Sequence, residues 1–68
     1  MTKTLEFKIF CFEAYKARHG LKGVQALEEF ERFGVFEYLT EFYDVLHTLG
    51  KEYLVDDIDR FIEKRRTA

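Results

Sequence analysis

Proline and serine are absent from this 68-residue chain, and cysteine occurs once. With no proline and no low-complexity linker, the chain is expected to be ordered nearly from end to end. The single cysteine, Cys11, cannot form a disulfide within the chain, and no paired Cys/His spacing suggests zinc. We therefore expect a cytoplasmic protein without a metal or other cofactor. The lack of serine and of an oxyanion-type glycine loop argues against nucleophilic catalysis.

Long apolar runs are also missing. No segment approaches the roughly 20 apolar residues of a membrane span, and the first residues lack the apolar region of a signal peptide. A strong positive charge is missing as well, because the net charge is −2. From Glu37 to Asp59 the sequence has seven acids and one base, Lys51. An acidic surface repels phosphate, so neither a membrane nor a nucleic-acid partner is expected.

Aromatic residues are what the chain has in quantity, with eight phenylalanines and four tyrosines. Each can bury roughly 150–250 Å² of surface. A domain of this size rarely gains more than about 3–5 kcal/mol of net stability from its core. The aromatic content makes one small domain, residues 1–68, plausible without disulfides or metal.

Glycine and helical periodicity divide the chain into segments. The pattern predicts an all-α protein, a compact bundle of four short helices at about 4–19, 24–33, 35–48 and 55–65. Thr2 or Thr4 is placed to cap the first helix. Gly20, Gly34 and Gly50 are placed to end the first three. Helix three has the clearest amphipathic pattern.

Helix one carries two apolar stripes on roughly opposite sides, whereas a surface helix needs only one. The first stripe comprises Leu5, Ile9 and Phe12. The second comprises Phe7, Phe10, Cys11 and Ala14. Either the helix is central and covered on both sides, or its second stripe meets another chain. The second alternative makes Phe7, Phe10 and Ala14 candidate partner-binding residues in a homodimer through helix one.

Helix three combines a broad apolar arc with an acidic side. The arc comprises Val35, Tyr38, Leu39, Phe42, Val45, Leu46 and Leu49, with Phe36 and Tyr43 at its edge. The opposite side carries Glu37, Glu41, Asp44 and Thr48. The apolar arc is predicted to be buried, and the acidic side is a candidate partner-binding surface.

Tyr43, Asp44, His47 and Tyr53 form the one local group with catalytic potential. Tyr43 and His47 are i,i+4 neighbours, and Asp44 is close enough to orient the imidazole. The group could act as a general acid/base pair or a polar contact site. The favoured interpretation is structural: His47 hydrogen-bonds locally at the helix end while the tyrosines bury their rings.

Two charged clusters have simple structural explanations. Residues 51–54 are predicted to form a connector, so that Asp56 and Asp57 lie in the first turn of the last helix, where its dipole favours acids. On a helix Asp56, Asp57 and Asp59 diverge, so a metal site is not expected. The basic run at residues 64–66 is placed to cap the last carbonyls.

A helix-turn-helix DNA-binding protein is the main alternative. Helices two and three are short and joined at a glycine, which is the outline of that motif. Basic patches at residues 16–22 and 64–66 could contact phosphate. The predicted recognition helix would, however, present Glu37, Glu41 and Asp44 to DNA, which is the wrong sign of charge.

The order of motifs resembles a family of very short bacterial proteins known only as a domain of unknown function. The shared features are an aromatic helix with Tyr15 and Gly20, then Phe33-Gly34-Val35, Tyr38-Leu39, the run Tyr43, Asp44, Leu46, His47 and Gly50, and finally Tyr53, Leu54, Asp57 and Ile58. The similarity spans nearly the whole chain, and its specific part is Gly34 to Ile58.

The resemblance implies a biological role for the protein and does not imply a chemical reaction. Members of that family are often encoded near proteins that look like ADP-ribosyltransferase-type toxins, which implies an antitoxin-like or accessory binding role. The residues and the resemblance together favour a non-catalytic protein-interaction module. An enzyme using Tyr43 and His47 is the remaining alternative.

Overall fold

A computed structural model describes residues 2–67 of the chain. Five helices follow one another, α1 (Lys3–His19), α2 (Gly23–Phe33), α3 (Val35–Glu41), α4 (Tyr43–Leu46) and α5 (Lys51–Thr67). No strand occurs within the described residues. The all-α prediction is confirmed, and α1 and α2 begin and end within one residue of the predicted bounds.

Two glycines end helices as predicted. Gly20 has φ 60° and donates its N–H to the carbonyl of Ala17, while Leu21 donates to the carbonyl of Lys16. Gly34 has φ 70° at the junction of α2 and α3. A side chain at Gly34 would meet the Nη1 atom of Arg65 at 3.3 Å. Positive φ and this close approach both favour glycine there.

The prediction of one continuous helix over residues 35–48 is wrong. Phe42 has φ −107° and ψ 24°, which separates α3 from the single turn of α4. The hydroxyl of Thr40 donates to the carbonyl of Phe36 at 2.9 Å, a local bond that bends helices. The bend allows Leu46 to enter the core and the Tyr43 ring to pack edge-on against Phe7 at 5.3 Å.

The predicted connector over residues 51–54 is also wrong, because α5 begins at Lys51. Leu54 and Val55 are both buried, and Leu54 donates its N–H to the carbonyl of Gly50. Residues 51–54 contain neither glycine nor proline, so the helix extends back to the glycine.

The core lies where α1 crosses α5 and contacts α2 and α3. Phe30 is at its centre, fully buried, with the rings of Phe12, Tyr15 and Phe36 around it. The other main core residues are Cys11, Ala26, Phe33, Val35, Leu39, Leu46, Leu54, Ile58 and Ile62. α1 contacts α2, α3 and α5, but its side with Leu5 and Ile9 stays exposed. The helix is therefore not covered on both sides, as the first of the two alternatives required.

Candidate docking surface

An open apolar groove of about 620 Å³ lies between the first half of α1 and the start of α2. Its sides are formed by α1 and α2, and Phe36 from α3 lies at its base. The lining residues are Leu5, Lys8, Ile9, Phe12, Gly23, Val24, Leu27 and Phe36. Phe12 and Phe36 stack at 6.2 Å and connect this surface to the core.

The groove is formed by side chains that folding leaves exposed. Leu5 is 50% exposed, Ile9 53%, Val24 69% and Leu27 42%. Aliphatic side chains gathered in one concave surface, unlike single exposed ones, are typical of an interaction site. We call this surface the groove, and it comprises the eight lining residues named above.

The stripe of α1 that stays exposed is opposite to the stripe that was predicted to meet another chain. Ala14 is buried, and Phe7 is partly buried against Tyr43. Phe10 is 47% exposed but does not line the groove. The exposed stripe instead contains Leu5 and Ile9. Partner binding by Phe7, Phe10 and Ala14 stays a prediction, and the structure leaves only Phe10 of the three well exposed.

The one charge in the lining of the groove is positive, and the nearby Lys16 is paired with an acid. Lys8 is the one charged residue of its lining. The Lys16 ammonium lies 5.9 Å from the centre of the Phe12 ring and 3.1 Å from Glu13. An apolar segment with acidic side chains at its edge would match this surface, because opposite charges favour correctly oriented docking.

The acidic residues of the predicted partner face are exposed but do not form one uniform surface. Glu37, Glu41 and Asp44 are all solvent-accessible. Glu37 and Glu41 border a depression that also contains Arg32 and Arg65. Asp44 lies beyond the bend at Phe42, on α4. The bend therefore separates Asp44 from the other two acids.

Tyr43 and His47 make the local contacts of the structural interpretation. Their rings stack in parallel at 4.5 Å, and the His47 Nδ1 atom lies 2.7 Å from the carbonyl oxygen of Tyr43. His47 itself is exposed. Tyr53 is 71% exposed, on the first turn of α5, so the prediction that its ring is buried is wrong. The side chains that the structure joins to Tyr43 are those of Phe7 and His47, which gives the group a packing role.

The acids of α5 contact partners on other helices. Because α5 begins at Lys51, Asp56 and Asp57 lie beyond its first turn, where they were predicted to be. Arg18 of α1 contacts Glu52 at 3.0 Å, Asp56 at 3.1 Å and Asp59 at 3.7 Å. The same Asp59 is 2.8 Å from the His19 ring. These contacts hold the end of α1 on α5. They also pair Arg18, the central cation of the basic patch at residues 16–22. Less positive charge therefore remains in this patch to bind phosphate.

Asp57 accepts a hydrogen bond of 2.6 Å from the Tyr38 hydroxyl, which links α3 to α5. The Tyr38 ring also stacks on Phe61 at 4.1 Å. Burial, followed by the bond to Asp57, raises the pKa of Tyr38 to about 12. The folded state therefore favours the neutral phenol.

Replacing Tyr38 with phenylalanine should remove this bond while keeping the ring stack. We expect a loss of about 1–2 kcal/mol at neutral pH, since the acceptor is charged and partly exposed. Because the pKa of Tyr38 is raised on folding, its contribution is present below about pH 10 and is lost as pH rises towards 12. Urea unfolding of both proteins across this range should show the difference shrinking. A difference that stays constant to pH 12 would contradict the assignment.

Three groove residues came from segments to which sequence reasoning gave no binding role. Val24 and Leu27 lie within the helix predicted at 24–33, and Phe36 was placed at the edge of the apolar arc of helix three. A usable signal was present: Val24 and Leu27 lie one turn apart on α2, whereas the buried residues Ala26, Phe30 and Phe33 follow another line on that helix.

Fold and surface together define a small all-α protein whose exposed apolar side chains are concentrated in a groove. Within residues 2–67 no helix has the length and apolar character needed to cross a membrane. The family model described as "Protein of unknown function (DUF3791)" matches residues 6–65. The chain therefore belongs to the DUF3791 family. Comparison with curated proteins and with solved structures gave no match.

Proposed function

We propose that this protein is a non-catalytic, cytoplasmic interaction module that binds an apolar helical segment in the groove between α1 and α2. The observation that carries the proposal is the clustering of Leu5, Ile9, Val24 and Leu27 on one concave surface, half exposed, above a base of aromatic rings. An amphipathic helix buries its apolar face in such a groove, which is a common mode of peptide recognition.

The charge around the groove selects among apolar segments. Lys8 within the lining favours a segment with an acidic side chain along its edge. The proposed occupant is therefore an acidic amphipathic helix. Burial of its apolar face provides the affinity, and its carboxylates set its orientation.

We propose that the physiological role of this binding is antitoxin-like or accessory. Its support is what the family resemblance implies, namely a protein encoded near ADP-ribosyltransferase-like toxins. The acids Glu37, Glu41 and Asp44 are exposed, although they do not form one surface, and each is accessible to a basic group of such a partner. The partner we propose is the protein encoded beside this one.

Co-expression with that neighbouring protein, followed by co-purification, tests the proposal. The wild-type chain should retain the partner, and the Ile9→Glu variant should lose it, because a charge is placed in the groove. The Phe10→Glu variant is the matched control, since Phe10 is exposed on α1 outside the groove. It should retain the partner.

Two results would overturn groove docking to that partner. One is a wild-type chain that captures nothing. The other is capture that survives Ile9→Glu. If Phe10→Glu alone abolishes capture, the binding surface is the Phe7, Phe10 and Ala14 stripe instead.

A further inference from the structure

Three arginine side chains from two helices line an open depression of about 430 Å³ around Phe33. Arg32 lies in the last turn of α2, and Arg65 and Arg66 lie in the last turn of α5. Phe33 completes the lining, so the described residues that form this depression include no carboxylate. All three arginines are exposed, whereas Phe33 is buried. We call Arg32, Arg65 and Arg66 the arginine cluster.

A buried ring positions two members of the cluster. The Cζ atoms of Arg32 and Arg66 lie 5.2 and 5.0 Å from the centre of the Phe33 ring. Cation–π attraction stabilises both contacts and leaves N–H groups of each guanidinium group able to donate. Because Phe33 is fixed in the core, the two side chains lose less entropy on binding a ligand than unsupported surface arginines would.

The third member, Arg65, is held by a ring and by a backbone carbonyl. Its Cζ atom lies 4.5 Å from the centre of the Phe61 ring, and its Nη1 atom donates to the carbonyl of Phe33 at 3.2 Å. Gly34 leaves room for this bond, because a side chain there would approach the same Nη1 atom at 3.3 Å. Capping the end of α2 therefore explains Arg65. It does not explain the other two arginines.

The positive charge of the cluster is only partly neutralised. Arg66 lies 3.9 Å from Glu29 and from Glu63, which is too far for a hydrogen bond. The ion pairs within 4.0 Å that residues 2–67 form include neither Arg32 nor Arg65. Like charges held on one surface repel one another, and a bound anion offsets this repulsion. Such a surface is suited to anion binding.

The charge and surroundings of the cluster favour a single phosphoryl group as the anion. A phosphate monoester carries a charge of about −1.5 to −2 near pH 7 and three acceptor oxygens, so it can accept hydrogen bonds from several guanidinium groups at once. A carboxylate has one charge and two oxygens and engages fewer donors. Glu31, Glu37 and Glu41 line the adjoining depression that shares Arg32 and Arg65 with the cluster. These acids repel an extended polyanion such as nucleic acid.

We propose that the arginine cluster binds the phosphoryl group of a small molecule, either inorganic phosphate or a phosphate monoester. The groove between α1 and α2 has a different lining. The inference therefore goes beyond the proposed function and does not depend on it. The donors come from two helices that are together only in the folded chain, so the ligand should also stabilise the fold.

An NMR titration that follows the arginine Nε–H signals of the full chain tests the inference. Inorganic phosphate, methyl phosphate and acetate are each added to about 20 mM at constant ionic strength. The signals of Arg32, Arg65 and Arg66 should shift and saturate with the two phosphate ligands. Acetate should bind at least about fivefold more weakly. Tighter binding of methyl phosphate than of inorganic phosphate assigns the site to an ester, and the reverse order assigns it to free phosphate.

Glutamine substitutions separate the cluster from general surface charge. Arg32→Gln and Arg66→Gln should each weaken phosphate binding at least about tenfold, because each removes charge-assisted hydrogen bonds. Arg60→Gln is the matched control, since it removes the same charge from α5 at a side chain that is 66% exposed and outside the cluster. It should bind phosphate as the wild type does. All three side chains are exposed, so the variants should fold, and circular dichroism melting curves would verify this.

Three results would overturn the inference. One is a set of cluster signals that never saturates. Another is a loss of binding in Arg60→Gln as large as that in Arg32→Gln, because it would indicate an effect of net charge alone. The third is acetate binding as tight as phosphate binding. Partner capture by the groove is measured separately with Ile9→Glu, so each of these results leaves the proposed function in place.

Discussion

Replacing Phe30 with alanine should leave the protein largely unfolded at room temperature. The side chain is fully buried, and its ring lies 5.1–5.4 Å from those of Phe12, Tyr15 and Phe36. Removing a buried phenylalanine ring costs about 3–5 kcal/mol. That loss equals the roughly 3–5 kcal/mol that a core of this size supplies. Far-ultraviolet circular dichroism during urea titration would measure the loss.

Phe42→Ala is the matched control for this prediction. Its side chain is 46% exposed at the bend after α3, and its removal should change stability by about 0.5 kcal/mol or less. If Phe30→Ala keeps a cooperative transition and loses less than about 1 kcal/mol, Phe30 is not the centre of the core.

The second large effect concerns the thiol of Cys11. This residue is fully buried and free, and burial raises its pKa from 9.0 to about 12. The thiolate is the reactive form of cysteine. Near neutral pH the rise in pKa lowers the thiolate fraction roughly a thousand-fold. In the folded protein a disulfide reagent should therefore react at least about a thousand-fold more slowly than in denaturant, and chiefly during transient opening.

An exposed thiol in the same chain provides the control. Thr48 is exposed, so Thr48→Cys introduces a thiol that should react rapidly while Cys11 in the same molecule stays protected. Mass spectrometry of the modified chain would separate the two sites. Equal rates at both sites in the folded protein would show that α1 does not bury Cys11 against its neighbours.

Helix ends were predictable where glycine supplied a specific backbone conformation. Gly20 and Gly34 both adopt positive φ and end α1 and α2 as predicted. The start of α5 was misplaced because acids at residues 56, 57 and 59 resembled a first turn. Their partners, Arg18 and Tyr38, are distant in sequence and meet them only in the folded chain. In the sequence, the strongest signal for the bend at Phe42 was Thr40, whose hydroxyl donates a hydrogen bond to the backbone of Phe36.

The candidate site was predicted in kind but not in position. An excess of apolar surface on helix one was expected, and the structure leaves such a surface open on α1. Which stripe stays open depends on where α5 packs on α1, and periodicity does not show this. The buried stripe contains Cys11 and Ala14, small residues that allow α5 to approach closely, and Ala14 and Val55 border a common depression. The bulkier Leu5 and Ile9 remain outside.

The bend at Phe42 also explains why the acidic side of helix three did not remain one surface. A continuous helix would have buried Phe42, Val45 and Leu49 along one apolar arc. The bend exposes these side chains and leaves their acidic neighbours beside them. Their exposure could not be predicted from periodicity, because the same residues fit a buried arc equally well.

The most direct test of groove docking is a methyl NMR titration of the isotope-labelled chain with the unlabelled neighbouring protein. Binding predicts progressive shifts of the methyl signals of Leu5, Ile9, Val24 and Leu27, which line the groove. The methyl signals of Ile58 and Ile62 in the core should stay constant. Unchanged groove signals at about 1 mM of added protein, or shifts confined to residues outside the groove, would contradict groove docking.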